Sequence, residues 1–131
     1  MSRKVAIQTQ EAPEAVGPYS QGVRSGDLLF TSGQLPITPT GQLITGDIVA
    51  AARRSLQNVF AVLSAAGAGP EDVVKVTIFL ADLSGFAAVN GVYAEFFREP
   101  YPARSCVEVA RLPKDAPIEI EAVARIGGGT G

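Results

Sequence analysis

Apolar and polar residues alternate from Lys4 to Thr9, the period of a β-strand. The two prolines and the glycine of EAPEAVGPYSQ then break the pattern and predict a loop. YSQGVRSGDLLFTSGQLP carries two extended runs hinged at Ser25-Gly26-Asp27, where glycine supplies a positive φ and aspartate bonds its own backbone. A hairpin is expected there, its second strand closing at Gly33 or Pro36. Between Asp47 and Ala66 the period lengthens. Ile48, Ala52, Leu56, Val59 and Leu63 fall on one helical stripe, widened by Val49 and Phe60, with Arg53, Arg54, Gln57 and Ser64 largely off it. Gly67 suits the end of that helix.

EDVVKVTIFLAD returns to period two, placing Val74, Val76, Ile78 and Leu80 on one face of a strand and Lys75, Thr77 and Phe79 on the other. A second helix is expected from Asp82 or Ser84, carrying Phe86, Val89, Tyr93 and Phe96 at helical spacing and stopping before Pro100. YPARSCVEVARLPKDAPIEIEAVA then supplies two more alternating runs joined by a proline-bounded turn, and the tail over 126–131 is expected to be disordered. The resulting order, β-β-β-α-β-α-β-β, has hairpins at both ends and helical crossovers between. It predicts an α+β fold in a single domain over 1–131, one mixed sheet with two helices on a single face. Nothing in the chain covers the other face, so subunit association is expected to do so.

Composition supports that expectation. Of 131 residues, 47% are apolar and 18% charged, rich in apolar surface for a domain of this size. The net charge of -2 and the absence of any basic run longer than Arg53-Arg54 predict no nucleic-acid partner. No apolar run reaches the roughly 18 residues of a spanning helix, and MSRKVAIQTQ lacks the apolar core of a signal peptide, so a soluble cytoplasmic protein without a membrane partner is expected. With no histidine and one cysteine, the chain cannot form a Ser-His-Asp or Cys-His pair, a zinc finger or an internal disulfide. Acid-base chemistry falls to Glu, Asp, Tyr, Lys, backbone groups or water.

Two strand residues apart, Arg104 and Cys106 project to the same face, roughly 7 Å from one another at about 3.3 Å per residue. A planar guanidinium suits paired bonds to a carboxylate, although an edge-strand arginine is more often simply solvated. Cys106 by itself reads as a small apolar residue, since no histidine stands ready to ionise it. If the LPKDAP turn centres between Lys114 and Asp115, an antiparallel register brings Glu119 and Glu121 to the face of Arg104, Cys106 and Glu108. A carboxyl beside apolar surface can have a raised pKa and exchange a proton with a substrate or a water. Otherwise both glutamates are the solvated side of a half-exposed strand. Tyr19 in GPYSQ, Ser32-Gly33 in TSGQLP and the helix-interior Asn90 are individually weak signals, each with an ordinary structural explanation.

Taken together and in order, APEAVGPYSQG, TSGQLP, VNGVYAEFF and YPARSCVEVARLPKDAPIEIEAVA resemble the RidA (YjgF) family of imine/enamine deaminases, over about Ala12 to Ala124. The resemblance implies a chorismate-mutase-like fold assembled as a homotrimer, with active sites between subunits. It implies that Arg104 binds the substrate carboxylate and Glu119 positions the hydrolytic water. By the same correspondence Tyr19, Ser32, Gly33, Asn90 and the backbone of Cys106 line the substrate cleft. The activity so implied is hydrolysis of 2-imino acids, formed from enamines such as 2-aminoacrylate, to 2-oxo acids and ammonia, with no cofactor and no metal. A non-catalytic module of the same fold that binds small 2-oxo acids is the alternative. Ribonuclease activity, also implied within the family, fits poorly with an acidic chain lacking histidine. Chaperone-like holding of unfolded chains would need an exposed apolar patch.

Overall fold

The computed structural model describes residues 3–127. Six strands and two α-helices follow the expected order: β1 (Val5–Ile7), β2 (Gly22–Ser25), β3 (Leu28–Thr31), α1 (Ile48–Ala65), β4 (Val73–Leu80), α2 (Phe86–Phe96), β5 (Ala103–Glu108) and β6 (Ile118–Arg125). The strands form one sheet in the order β1-β2-β3-β6-β4-β5. Ser25 pairs with Leu28, so the first hairpin turns on Gly26-Asp27 as the sequence predicts. Asp47 caps α1 by accepting the Ala50 N–H at 3.1 Å, and Gly67, with φ of 87°, ends it. Ile126 leaves the sheet with its N–H on the Asp27 carbonyl at 2.8 Å. The sequence predicts a disordered tail over 126–131, but Ile126 is held by that bond and packs against the core, which corrects the start of the tail; residues 128–131 lie outside the described residues.

Both helices pack on one face of the sheet, α1 across β6 and β3 with α2 beside it. Phe60 of α1 stacks on Phe96 at 5.7 Å, and Tyr93 meets Phe97 at 4.5 Å, filling the seam under α2. The core gathers Leu29, Ile118 and Ile120 with Leu56, Val59, Leu63, Val76, Ile78, Leu80 and Val89, the last seven being residues that the two periodicities line up on single faces. Two assignments move. A register shift between Val73 and Lys75 buries Val73 and turns Val74 outward, and Val49 lies off the buried stripe of α1.

The larger correction concerns the last two strands. A C-terminal hairpin is expected from the sequence, but β5 and β6 do not pair. β5 runs parallel to β4 at the sheet edge, while β6 lies antiparallel between β3 and β4. Side-chain character decides the placement. Ile118, Ile120, Ala122 and Ala124 are all buried and demand a central strand, whereas ARSCVE buries almost nothing and suits an edge. Residues 109–117 therefore carry the chain past the end of β4, with Pro113–Asp115 in a short 3-10 turn and Lys114 and Asp115 at positive φ.

The face opposite the helices carries Val23, Leu28, Phe30, Thr77, Phe79, Val107, Glu119 and Glu121, as strand alternation and register dictate. Leu28, Phe30 and Val107 remain exposed there. No segment among the described residues covers this surface. No helix among them is long and apolar enough to cross a membrane.

Candidate active site

The register of β4 with β5 pairs Val76 with Arg104 and Ile78 with Cys106, which sends both side chains to the helix-bearing face. There α2 presents Phe86, Asn90 and Tyr93 in one stripe at helical spacing. Arg104 Nη1 donates to Asn90 Oδ1 at 2.7 Å, and the guanidinium carbon lies 4.8 Å from the Tyr93 ring centroid and 5.5 Å from that of Phe86. The rest of the fork faces outward from an exposed strand. Asn90 is thus a partner of Arg104, not an idle polar position.

Backbone parity adds a second donor. The Val109 N–H donates to the Leu80 carbonyl at 2.9 Å, so the alternate residues of β5 turn their N–H groups toward β4. The N–H groups of Arg104 and Cys106 consequently project from the free edge. The Cys106 thiol itself packs against the core, and burial pushes its pKa up, opposed in part by Arg104. It stays a thiol, and the group offered to a ligand is its amide. Glu108 is occupied elsewhere, its Oε1 accepting the Leu83 N–H at 2.8 Å just ahead of α2.

Glu119 belongs to a different group. It pairs with Phe79 on the face away from the helices and is half-buried. Burial, reinforced by the neighbouring Glu121, raises its pKa above the ordinary glutamate value. Its carboxyl lies against Gly33, which the mutual backbone bonds of Gln34 and Ile120, 2.8 and 3.1 Å, fix beside β6. A Cβ at Gly33 would stand 2.6 Å from Glu119 Cδ, so only glycine leaves room for this carboxyl. Ser32 donates its N–H to Gln21 O at 2.8 Å and its hydroxyl to Ser20 O at 2.6 Å, tying the glycine turn to the loop that carries Tyr19. Tyr19 is 53% exposed and borders a cleft of about 810 Å³ with Thr9, Glu14 and Gln21, a cleft that reaches neither Arg104 nor Glu119.

Arg104 and Glu119 therefore do not share a face, contrary to the hairpin register expected from the sequence. With β4 between β5 and β6, Arg104 aligns with Val76 and Ala122 on the helix side, and Glu119 with Phe79 and Val107 on the other. Within one chain the candidate residues fall into separate groups: Arg104, Asn90 and the Cys106 amide at the β5 edge, Glu119 and Gly33 across the sheet, and Tyr19 apart from both, joined to Gly33 only through Ser32 and its bonds to Ser20 and Gln21.

Asn58 escapes the sequence reading. It is fully buried on α1, its Nδ2 donating to the carbonyls of Leu35 and Ile37 at 3.0 and 2.8 Å while its Oδ1 accepts from Arg54 Nε and Nη2 at 3.1 and 2.8 Å. This amide ties the segment after Gly33 down to the helix. A legible signal exists in the spacing Ala51, Ser55, Asn58, Val62, a second stripe of small and polar residues that the structure buries.

Gly33→Ala gives a direct test of the Glu119 contact. The obstructed atoms are the end of a flexible side chain, so the variant is expected to fold with little change in Tm while its Glu119 carboxyl swings toward water. Relief of desolvation then lowers the Glu119 pKa, read by carbon NMR titration of the carboxyl. An unchanged titration would show that the two residues do not constrain each other.

Nearly the whole described chain has known relatives. The profile of the family described as "Endoribonuclease L-PSP" matches residues 9–126. The 2-iminobutanoate/2-iminopropanoate deaminase of Escherichia coli K12 is 53% identical, covering 95% of this chain and 98% of that protein. Among solved structures, E. coli TdcF with bound serine superposes with a TM-score of 0.89 at 51% identity, covering 94% of this chain and 99% of that one. The YjgF gene product of E. coli gives a TM-score of 0.88 at 52% identity, over 94% and 99% of the two chains.

Proposed function

The chain belongs to the RidA (YjgF) family, and from that premise we propose that it hydrolyses small 2-imino acids, formed from enamines such as 2-aminoacrylate, to 2-oxo acids and ammonia. The observation that carries this reading is Arg104, a guanidinium oriented by Asn90 beside an outward amide at Cys106. A carboxylate can take paired charge-assisted bonds from that fork and a further bond from the amide. The ligand in E. coli TdcF, serine, is a small carboxylate of this kind.

In the proposed reaction the protonated imine carbon is attacked by water. Glu119 takes the proton that the water oxygen gives up, and a carbinolamine forms. Glu119 returns that proton to the nitrogen, the C–N bond breaks, and the hydroxyl proton passes to Glu119 as the carbonyl forms. Ammonia leaves and takes up that proton as ammonium, which restores the carboxylate. A carboxyl with a raised pKa suits these transfers better than an ordinary one. The iminium activates its own carbon, so positioning can supply much of the acceleration.

Because Arg104 and Glu119 lie on opposite faces of one chain, the working site requires a second copy. We assign the assembly as a chorismate-mutase-like homotrimer in which the face bearing Phe30, Leu28 and Val107 is covered by neighbours. Each cleft would take Arg104, Asn90 and the Cys106 amide from one chain and Glu119, Gly33, Ser32 and Tyr19 from the next. The nuclease named in the family description gains no support from an acidic chain with no histidine.

The test is to generate 2-aminoacrylate in situ with a dehydratase and follow formation of the 2-oxo acid. A rate above that of buffer is expected from the parent. Glu119→Gln is expected to slow it by roughly 10²-fold, the usual reach of a positioned acid-base group, while 2-oxobutanoate still binds. The parental rate is also expected to fall on the acid side at a higher pH than an ordinary glutamate would set, since Glu119 acts ionised and its pKa is raised. Binding of 2-oxobutanoate with no acceleration would instead identify a non-catalytic carboxylate-binding module.

A further inference from the structure

We propose that Tyr93 is a positioning residue for Arg104, its ring face holding the guanidinium by a cation–π contact and thereby setting the plane in which the fork meets a substrate carboxylate. This rests on Arg104 being the carboxylate anchor.

Arg104 rises from an exposed edge strand, where a long side chain would sample many rotamers. Two contacts restrict it in different ways. The bond to Asn90 Oδ1 at 2.7 Å fixes one nitrogen within the guanidinium plane, and the Tyr93 ring, 4.8 Å from the guanidinium carbon, bears on that carbon through its π-face. Paired bonds form only with a carboxylate lying close to the guanidinium plane, so the contact that sets the plane sets the approach of the substrate.

Tyr93 is suited to this work. It is 6% exposed and braced by Phe97 at 4.5 Å, so its ring is held rigidly by the core. Its hydroxyl is buried and finds no hydrogen-bond partner among the described residues, which leaves the ring face as the part that meets Arg104. Phe86 lies farther off, at 5.5 Å, and is more exposed. A tyrosine serving only as core filling would contribute shape, whereas a cation–π partner contributes electron density at its face.

That difference can be measured. Tyr93→Phe, which keeps an aromatic face beside the guanidinium, provides the reference against which a fluorinated series is read. Replacing Tyr93 in turn by 4-fluoro-, 3,5-difluoro- and 3,4,5-trifluorophenylalanine drains the face with little change of shape. Across that series the Kd for 2-oxobutanoate and the KM for 2-iminopropanoate are expected to rise stepwise, by about tenfold in all, with kcat changing less and Tm holding. A flat series overturns the role of Tyr93. Arg104→Lys in the same assays separates the two claims. If the lysine variant weakens both constants while the fluorine series is flat, only the Tyr93 inference falls. If the lysine variant equals the parent, the anchor reading itself is lost.

Discussion

Arg104→Lys is expected to lower kcat/KM for 2-iminopropanoate by roughly 10²-fold, about the worth of one charge-assisted bidentate contact reduced to a single point charge. The charge survives the substitution, so any loss reports the fork. An ammonium on a shorter stem cannot keep both the 2.7 Å bond to Asn90 and a parallel pair to a carboxylate. It also lacks the flat surface that meets Tyr93 and Phe86. Since the carboxylate is held in substrate and transition state alike, most of the loss is expected in KM, with a smaller fall in kcat from poorer alignment of the imine carbon. Steady-state kinetics at fixed pH, with Tm as a folding control, provide the measurement. A lysine variant that matches the parent would remove Arg104 from substrate binding.

The elements were legible because most of them follow a single period. α1 and the central strands carry their buried residues where alternation and helical spacing put them, and the first hairpin turns where its glycine allows. Pairing was less legible. Alternation tells which side chains of a strand share a face, but it does not say which strand lies next to which. In LPKDAP a hairpin turn and a longer crossing look alike, and the decisive cue is quantitative: ARSCVE is too polar to stand in the middle of a sheet, while IEIEAVA is too apolar at alternate positions to stand at its edge.

The same limit applied to the site. The motif residues are legible one by one, and the structure places Asn90 beside Arg104 and Gly33 beside Glu119, but the face of each pair depends on the insertion of β6 between β3 and β4. Gly33 was recognised by its motif, yet the physical reason for a glycine, the carboxyl of Glu119 against it, requires the contact between two segments distant in sequence. Asn58 was hidden because a polar residue within an amphipathic helix is ordinarily assigned to solvent. Its burial depends on the carbonyls of Leu35 and Ile37 arriving from a loop that has no period of its own.

Mixing two crippled chains is expected to regenerate activity. Arg104→Ala removes the proposed carboxylate anchor and Glu119→Gln the proposed acid-base group, so each homogeneous protein is expected to be nearly inert. Arg104 and Glu119 occupy opposite faces of one chain, so in the proposed trimer each cleft takes one from each neighbour. When the variants are unfolded together at equal amounts and refolded, chance brings an intact Arg104 and an intact Glu119 together at about a quarter of the interfaces of a cyclic assembly. Turnover of 2-iminopropanoate is therefore expected to return to about that fraction of the parental rate, and to follow the product of the two chain fractions as the ratio is varied. A site contained in one chain behaves differently, because no mixture of the two variants then holds a complete set of groups and none regains activity. The double variant mixed equally with the parent supplies the control: about a quarter of the parental rate for shared sites, and about half for sites within one chain.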